Sequence, residues 1–349
     1  MKSGKGKNVI QPTADQIKEA SSKIAGYFGG YFAVWTIDLG VRTGLFAEIV
    51  KYPNGITSSV LAKKKEFDAL NVDVWCRNAY GAELLEIQNG RYILSPAMKV
   101  ILFDRDSPAY ATGTAQALIG LRDIFVALRK RMKSGDRLWW DSAPREFVDA
   151  VAESSRAFYT RLLNFIDQKK KLSNLLNKGT LLEVGSGYGS GLIRFAKQYP
   201  NAKLIGVDGD KYSIKQAKSA FKHAKISNQI RFVTSTFEDY NESEVADFAL
   251  INISLHEARN KRKVVKAMHN ALKPGGVILV SEFPYPEVVE NLRTPPSRVM
   301  SGVQYFEAMI DDQLLPTKEF VSLLNGIGFK NIEVVELAPV HVVILGYKY

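Results

Sequence analysis

The 349-residue chain is 46% hydrophobic and 24% charged, with a net charge of +11. No apolar run reaches the roughly 18 residues that a membrane span needs, and the single cysteine, Cys76, excludes an intrachain disulfide, so the expectation is a cytoplasmic globular protein without membrane contact. The basic excess is spread along the chain and not gathered into a stripe, which speaks against a nucleic-acid surface.

Residues 1–12 are basic, carry no apolar stretch behind them, and read as a disordered tail, not a secretory signal. The length of the rest predicts two domains. Residues 13–105 form a mostly helical first domain. Its opening helix, Ile17 to Gly44, carries Tyr27, Phe28, Tyr31, Phe32 and Trp35 at helical spacing, a face expected to be buried against a neighbouring helix or a second subunit. Thr57 or Ser58 caps a short helix, a second helix runs from about Ala69 to Leu84, and Leu85–Leu94 reads as a hairpin turning at Asn89-Gly90. Helix, turn, helix, hairpin is the winged-helix pattern.

Residues 106–172 are again helical, broken by Gly135 and Pro144, and read as a linker that contributes to an acceptor pocket. From 173 to 349 short apolar strands alternate with helices: Thr180–Val184, Lys203–Val207, Ile230–Thr234, Phe248–Ile253 and Val277–Glu282. This alternation predicts an α/β domain with a parallel sheet. Asn331–Leu337 and His341–Tyr347 are too close for a crossover helix, so they form an antiparallel hairpin.

The first strand of this domain runs into Glu183-Val-Gly185-Ser186-Gly187-Tyr-Gly189. Glycines allow a sharp turn and close approach of a ligand at the carboxyl end of a strand. The nicotinamide fingerprint fits poorly, because its third glycine position falls on Ser190 or Leu192. The second strand ends at Asp208, followed by Gly209, where a carboxylate can accept hydrogen bonds from both hydroxyls of a ribose.

These residues resemble the class I S-adenosylmethionine-dependent methyltransferases. Glu183–Gly189 matches the family's first motif, Asp208 its acidic residue, and Ala271-Leu-Lys-Pro-Gly-Gly-Val-Ile-Leu-Val its approach to the fifth strand. The resemblance implies a Rossmann-like seven-stranded sheet in the order 3-2-1-4-5-7-6, with S-adenosyl-L-methionine as the cofactor. Leu39–Phe46, Gly90–Pro96 and Thr317–Phe329 further resemble the small-molecule O-methyltransferases. In that family the winged helix makes a homodimer and covers the active site; it does not bind DNA.

The resemblance implies donor contacts from Glu183, Gly185, Ser186, Gly187, Asp208, Gly209, Thr236, Phe237 and Asn252. Thr236 stands where relatives often carry an acidic residue, and Asn252 where they carry a basic one. His256 takes the place of the family's catalytic base, with Glu282 as one of its two flanking carboxylates. The other aligns with Leu314, leaving nearby Asp311 and Asp312 as substitutes. Glu257 and Ala258 replace the family's Asp-Trp. Phe147, Val151, Tyr305 and Met309 align with acceptor-lining positions, and no metal is expected.

The reaction implied is methyl transfer to a hydroxyl of a small, largely apolar or aromatic acceptor, where a neutral imidazole assists loss of a phenolic proton. Three alternatives stay open: a C- or N-methyltransferase on the same scaffold, a catalytically dead relative, and a DNA-binding S-adenosylmethionine-responsive regulator. The last is weakened by its second helix, which carries only Arg77 as a basic residue.

Overall fold

The computed structural model describes residues 11–138, 140–226 and 229–349, so nearly all of the expected tail lies outside the described residues. The chain divides into two compact units between Leu102 and Phe103, and the helical segment 106–172 clusters with the second.

In the first unit the opening helix spans Ala14–Arg42, closed at its start by a capping box of Thr13 and Gln16. Of the two covers expected for its aromatic face, a neighbouring helix or a second subunit, the described residues of the same chain leave Tyr27, Phe28, Tyr31 and Phe32 all more than half exposed. Only its last turns are buried. A Cβ on Gly40 would lie 2.4 Å from the rings of Phe46 and Trp75, so glycine is what lets that pair close on the helix.

Thr57, not Ser58, caps the helix Ser58–Lys65. The next helix, Ala69–Gly81, ends before Leu84 because Glu83 turns into the left-handed region. Its Arg77 is paired with Asp73 at 2.7 Å. Burial pushes the Cys76 thiol on the same helix up to about 12. Strands β1 (Glu86–Gln88) and β2 (Arg91–Ile93) form the hairpin, with positive φ at both Asn89 and Gly90 as a two-residue turn requires.

The second unit is built on seven strands: β3 (Thr180–Val184), β4 (Lys203–Asp208), β5 (Ile230–Thr234), β6 (Ala246–Asn252), β7 (Leu272–Glu282), β8 (Lys330–Ala338) and β9 (His341–Tyr347). Their spatial order is β5-β4-β3-β6-β7-β9-β8. The first five are parallel, β9 runs antiparallel to both neighbours, and the order is the one the methyltransferase motifs imply. β7 starts earlier than its apolar run, because Leu272 already pairs with Ala246 ahead of a register shift.

The period-2 alternation of the strands supplies two apolar faces. Leu182, Val184, Ile205, Val207 and Ile251 pack under the helices Lys261–Ala271 and Thr317–Ile327. Leu181, Leu204, Leu250 and Leu279 pack under Arg156–Gln168, Lys170–Lys178 and Ser190–Gln198. Both faces of the sheet are thus covered, and the carboxyl ends of β3, β4 and β6 share one edge where ligands bind in open α/β sheets.

Candidate active site

At the end of β3 the chain enters the glycine loop with positive φ at Gly185, Gly187 and Gly189. Asp208 fastens the loop: its Oδ2 accepts from Gly187 N and its Oδ1 from Asp210 N, both at 2.8 Å. Burial holds this carboxyl above its ordinary range, and the two amide donors oppose the shift. A Cβ on Gly187 would meet nothing within 4 Å, whereas one on Gly185 would press on Ser254 Oγ at 2.9 Å. The loop therefore faces open space at Gly187 and protein at Gly185.

Below the loop lies Glu183, fully buried, whose Oε1 accepts from the Tyr159 hydroxyl at 2.7 Å. Burial pushes Glu183 up to about 8. A Cβ on Gly191 would fall 2.1 Å from the Tyr159 ring, so the glycine makes room for the tyrosine that holds Glu183. Two buried oxygens here, Glu183 Oε2 and Ser186 Oγ, have no hydrogen-bond partner. They are the free polar groups that a polar ligand above the loop can satisfy.

Gly209 is exposed beside Asp208. Thr236 is exposed, and its hydroxyl closes a local turn on Asp239 at 2.7 Å. Phe237 is partly buried and packs its ring against Gly185. Asn252 is buried, and its Oδ1 accepts from Ser281 Oγ at 2.6 Å. Ser281 in turn meets His341 Nε2 at 2.8 Å, and Arg161 Nε donates to His341 Nδ1 at 2.9 Å.

His256 follows β6 by a short turn in which Ile253 takes φ 51°, a left-handed conformation that is uncommon for a β-branched residue. The turn is fixed from β7. Glu282 Oε1 accepts from Leu255 N at 2.8 Å and His256 N at 3.1 Å, while Oε2 lies 2.7 Å from His256 Nδ1. Imidazole and carboxylate are each only 1% exposed.

The other ring nitrogen, Nε2, faces two more carboxylates: Glu307 Oε2 at 3.6 Å and Glu257 Oε1 at 4.0 Å. Burial disfavours the charged imidazolium, but Glu282 and Glu307 outweigh it and hold His256 well above the ordinary histidine range. Burial likewise raises Glu257 well above its usual value and pushes Asp312 up to about 6.

The carboxylate nearest His256 Nε2 is Glu307, from the helix Pro295–Met309. Leu314, the position expected by ungapped alignment, is a buried core leucine. Asp311 is turned away and paired with Arg137 at 2.7 Å. Glu307 had a sequence signal that went unread: it lies seven residues after Met300 on the buried face of the helix Pro295–Met309, an acid at an apolar position.

Of the expected acceptor residues, Phe147 and Met309 are buried in one cluster with Phe306, and Val151 packs against it. The Trp140 ring lies parallel to Phe147 at 6.1 Å, and its Nε1 donates to Glu257 Oε2 at 3.1 Å, which ties the aromatic cluster to the acidic one. Tyr305 is 53% exposed with its ring edge-on to Phe125, on the outer side of the same helix.

Residues 175–318 match a family described as a methyltransferase domain. The chain is 28% identical over 215 residues to carboxy-S-adenosyl-L-methionine synthase of Nautilia profundicola, covering 56% of this chain and 88% of that protein. It is 32% identical over 163 residues to an uncharacterised protein of Methanocaldococcus jannaschii, covering 46% and 70%. Among solved structures it is similar to a putative O-methyltransferase from Nostoc punctiforme, with a TM-score of 0.73 at 18% identity over 97% of this chain and 100% of that one, a likeness of fold.

Proposed function

The chain belongs to the class I S-adenosylmethionine-dependent methyltransferases, and on that premise we propose that it methylates a hydroxyl of a small, largely apolar or aromatic acceptor, with His256 as general base. The observation that carries this reading is the setting of His256: Nδ1 is fixed by Glu282 at 2.7 Å, and Nε2 is left toward Glu307 and Glu257.

The residues of the glycine loop fit the donor. Gly187 offers open space, Ser186 Oγ and Glu183 Oε2 are buried and unsatisfied, and Asp208 ends β4 beside them. When bound, S-adenosylmethionine supplies an electrophilic methyl group on a sulfonium. Asp208 and the loop hold and orient it, and Phe237 and Asn252 border the same edge. The protein's remaining work is to orient the acceptor and to take its proton. The proton goes to Nε2 of the neutral form of His256, whose share grows as pH rises because Glu282 and Glu307 hold the imidazolium well above the ordinary histidine range; Glu282 also keeps the ring in one orientation. Trp140, Phe147, Phe306 and Met309 supply an apolar wall suited to an aromatic acceptor.

The test is His256→Ala in single-turnover methyl transfer on a hydroxyl acceptor. The expected loss is roughly 100- to 10,000-fold with donor affinity intact. A near-full rate overturns the base assignment, and a full rate confined to a carbon or nitrogen acceptor replaces the hydroxyl by that atom.

The first unit is read as a winged-helix dimerisation domain. Its support is the exposed aromatic row Tyr27, Phe28, Tyr31 and Phe32 on one helix, the kind of clustered apolar surface that marks an interaction site. A second copy of the chain in a two-fold arrangement covers it.

A further inference from the structure

We propose that the pocket between the helix Arg156–Gln168 and the edge strand β8 binds a small acid with an apolar body, its carboxylate taken by Arg161. The pocket has a volume of about 670 Å³, within the roughly 300–1,000 Å³ typical of small-molecule sites. Glu333, Val335 and Leu337 of β8 fall on one face of the strand by its alternation, and Phe165 of the helix stands with Val335 and Leu337 in one apolar cluster. Arg161 and Asn164, one turn apart on the helix, line the same space. Of the lining residues only Arg161 is shared with the contacts that lead to Asn252, and none belongs to the glycine loop or to the carboxylates around His256.

The charge of Arg161 is what calls for an anion. Its Nε donates to His341 Nδ1 at 2.9 Å, its Nη1 donates to the Pro108 carbonyl at 2.6 Å, and the guanidinium lies 4.6 Å from the centre of the Phe158 ring. All three partners are neutral, since burial and Arg161 itself hold His341 well below the ordinary histidine range. Among the described residues no carboxylate pairs with Arg161: burial lowers its guanidinium to about 10 with nothing to oppose the shift, and it stays charged at neutral pH. A partly buried charge without a counter-charge is costly, and a carboxylate meets the planar guanidinium through two parallel N–H···O bonds. The other charges along the pocket are already met or lie outside it. Lys169 reaches Glu333 at 2.6 Å, and Glu336 alternates to the other side of β8 and is exposed, where water screens it. The walls set the rest of the ligand, because a free phosphate would leave Phe165, Val335 and Leu337 uncovered.

The experiment titrates the full chain with 2-naphthoate at neutral pH in a calorimeter, beside its neutral counterpart 2-naphthamide and inorganic phosphate. The expected result is saturable binding of 2-naphthoate with a Kd below about 1 mM. Binding should be at least ~10-fold weaker for the amide, which lacks the charge, and for phosphate, which lacks the apolar body. Asn164→Asp places a carboxylate one helical turn from Arg161 and so supplies the counter-charge from within the chain; it should weaken 2-naphthoate by at least ~10-fold. Asn164 is exposed and the change is nearly isosteric, so the variant folds, and circular dichroism checks this. Absence of saturable 2-naphthoate binding, equal affinity for the amide or for phosphate, or unchanged affinity in folded Asn164→Asp overturns the proposal. Binding is read without methyl donor or acceptor, so its failure leaves the base assignment standing, and failure of the hydroxyl reading leaves this pocket standing.

Discussion

Glu307 Oε2 stands 3.6 Å from His256 Nε2, while Glu282 holds the opposite nitrogen at 2.7 Å. One buried imidazole is thus set between carboxylates from two different elements. Glu282 also accepts from the backbone of Leu255 and His256. Glu282→Ala strands two buried N–H groups and should cost about 2–5 kcal/mol in urea unfolding. Glu282→Gln keeps an acceptor for those amides and should cost less. It should still lower kcat by ~10-fold or more, because the ring is no longer held by a carboxylate.

Asp208 holds the glycine loop through Gly187 N as well as standing at the expected ribose position. Asp208→Ala should weaken the binding of donor and demethylated product by about 1–3 kcal/mol, read by calorimetry. Unchanged affinity would show that the carboxylate serves only its own turn.

Gly191→Ala puts a Cβ 2.1 Å from the Tyr159 ring. The ring must shift and release Glu183, so thermal unfolding should show a loss of about 1–3 kcal/mol. Tyr159→Phe should lose stability as well by leaving Glu183 Oε1 unpaired, and the double variant should lose less than the sum of the two, since both act on one contact.

Glu183 ionises near 4.5 in an unfolded chain and near about 8 where it is buried. Between those values the unfolded state has released a proton that the folded state keeps. The stability that depends on this group is full below about 4.5 and is lost as pH rises through about 8. The loss is on the order of a few kcal/mol. Glu183→Gln cannot ionise, so its urea midpoint should fall less than that of the wild type between pH 5 and pH 8. Parallel curves for the two proteins would refute the assignment.

The aromatic row of the first helix should set the oligomeric state. Light scattering of the wild type at micromolar concentration should give twice the 38.9 kDa chain mass, and Phe28→Glu with Phe32→Glu should give the chain mass itself. A wild-type particle of 38.9 kDa would contradict the dimer.

Much of the fold was legible because local chemistry dictated it. The strands of the sheet are short apolar runs, the hairpin turn is an Asn89-Gly90 pair that tolerates positive φ, and the glycine loop is written out between β3 and its helix. The strand order came from the motif resemblance, since pairing between distant strands leaves no local trace. The site was legible where it is local: Asp208, His256 and Glu282 each end or follow a strand. Glu307 was not, because its meeting with His256 depends on how a later helix lies across the sheet edge. Alignment by spacing alone pointed to Leu314. The aromatic spacing of the first helix says that a face wants cover but leaves a neighbouring helix and a second subunit equally open.

The contacts from Arg161 to Asn252 carry a direction. A guanidinium can only donate, so His341 Nδ1 must accept, and its proton must sit on Nε2 and point to Ser281 Oγ. The serine hydrogen then goes to Asn252 Oδ1. From Arg161 to Asn252 every hydrogen points the same way, away from the cation. The polarity is set at one end. Replacing Arg161 by an apolar residue would leave His341 free to take its other tautomer, and the Ser281 hydrogen would then turn from Asn252 to His341 Nε2 with no heavy atom leaving its place. A substitution on the helix Arg156–Gln168 would in that way change what Asn252, at the end of β6, offers to a ligand from across the sheet.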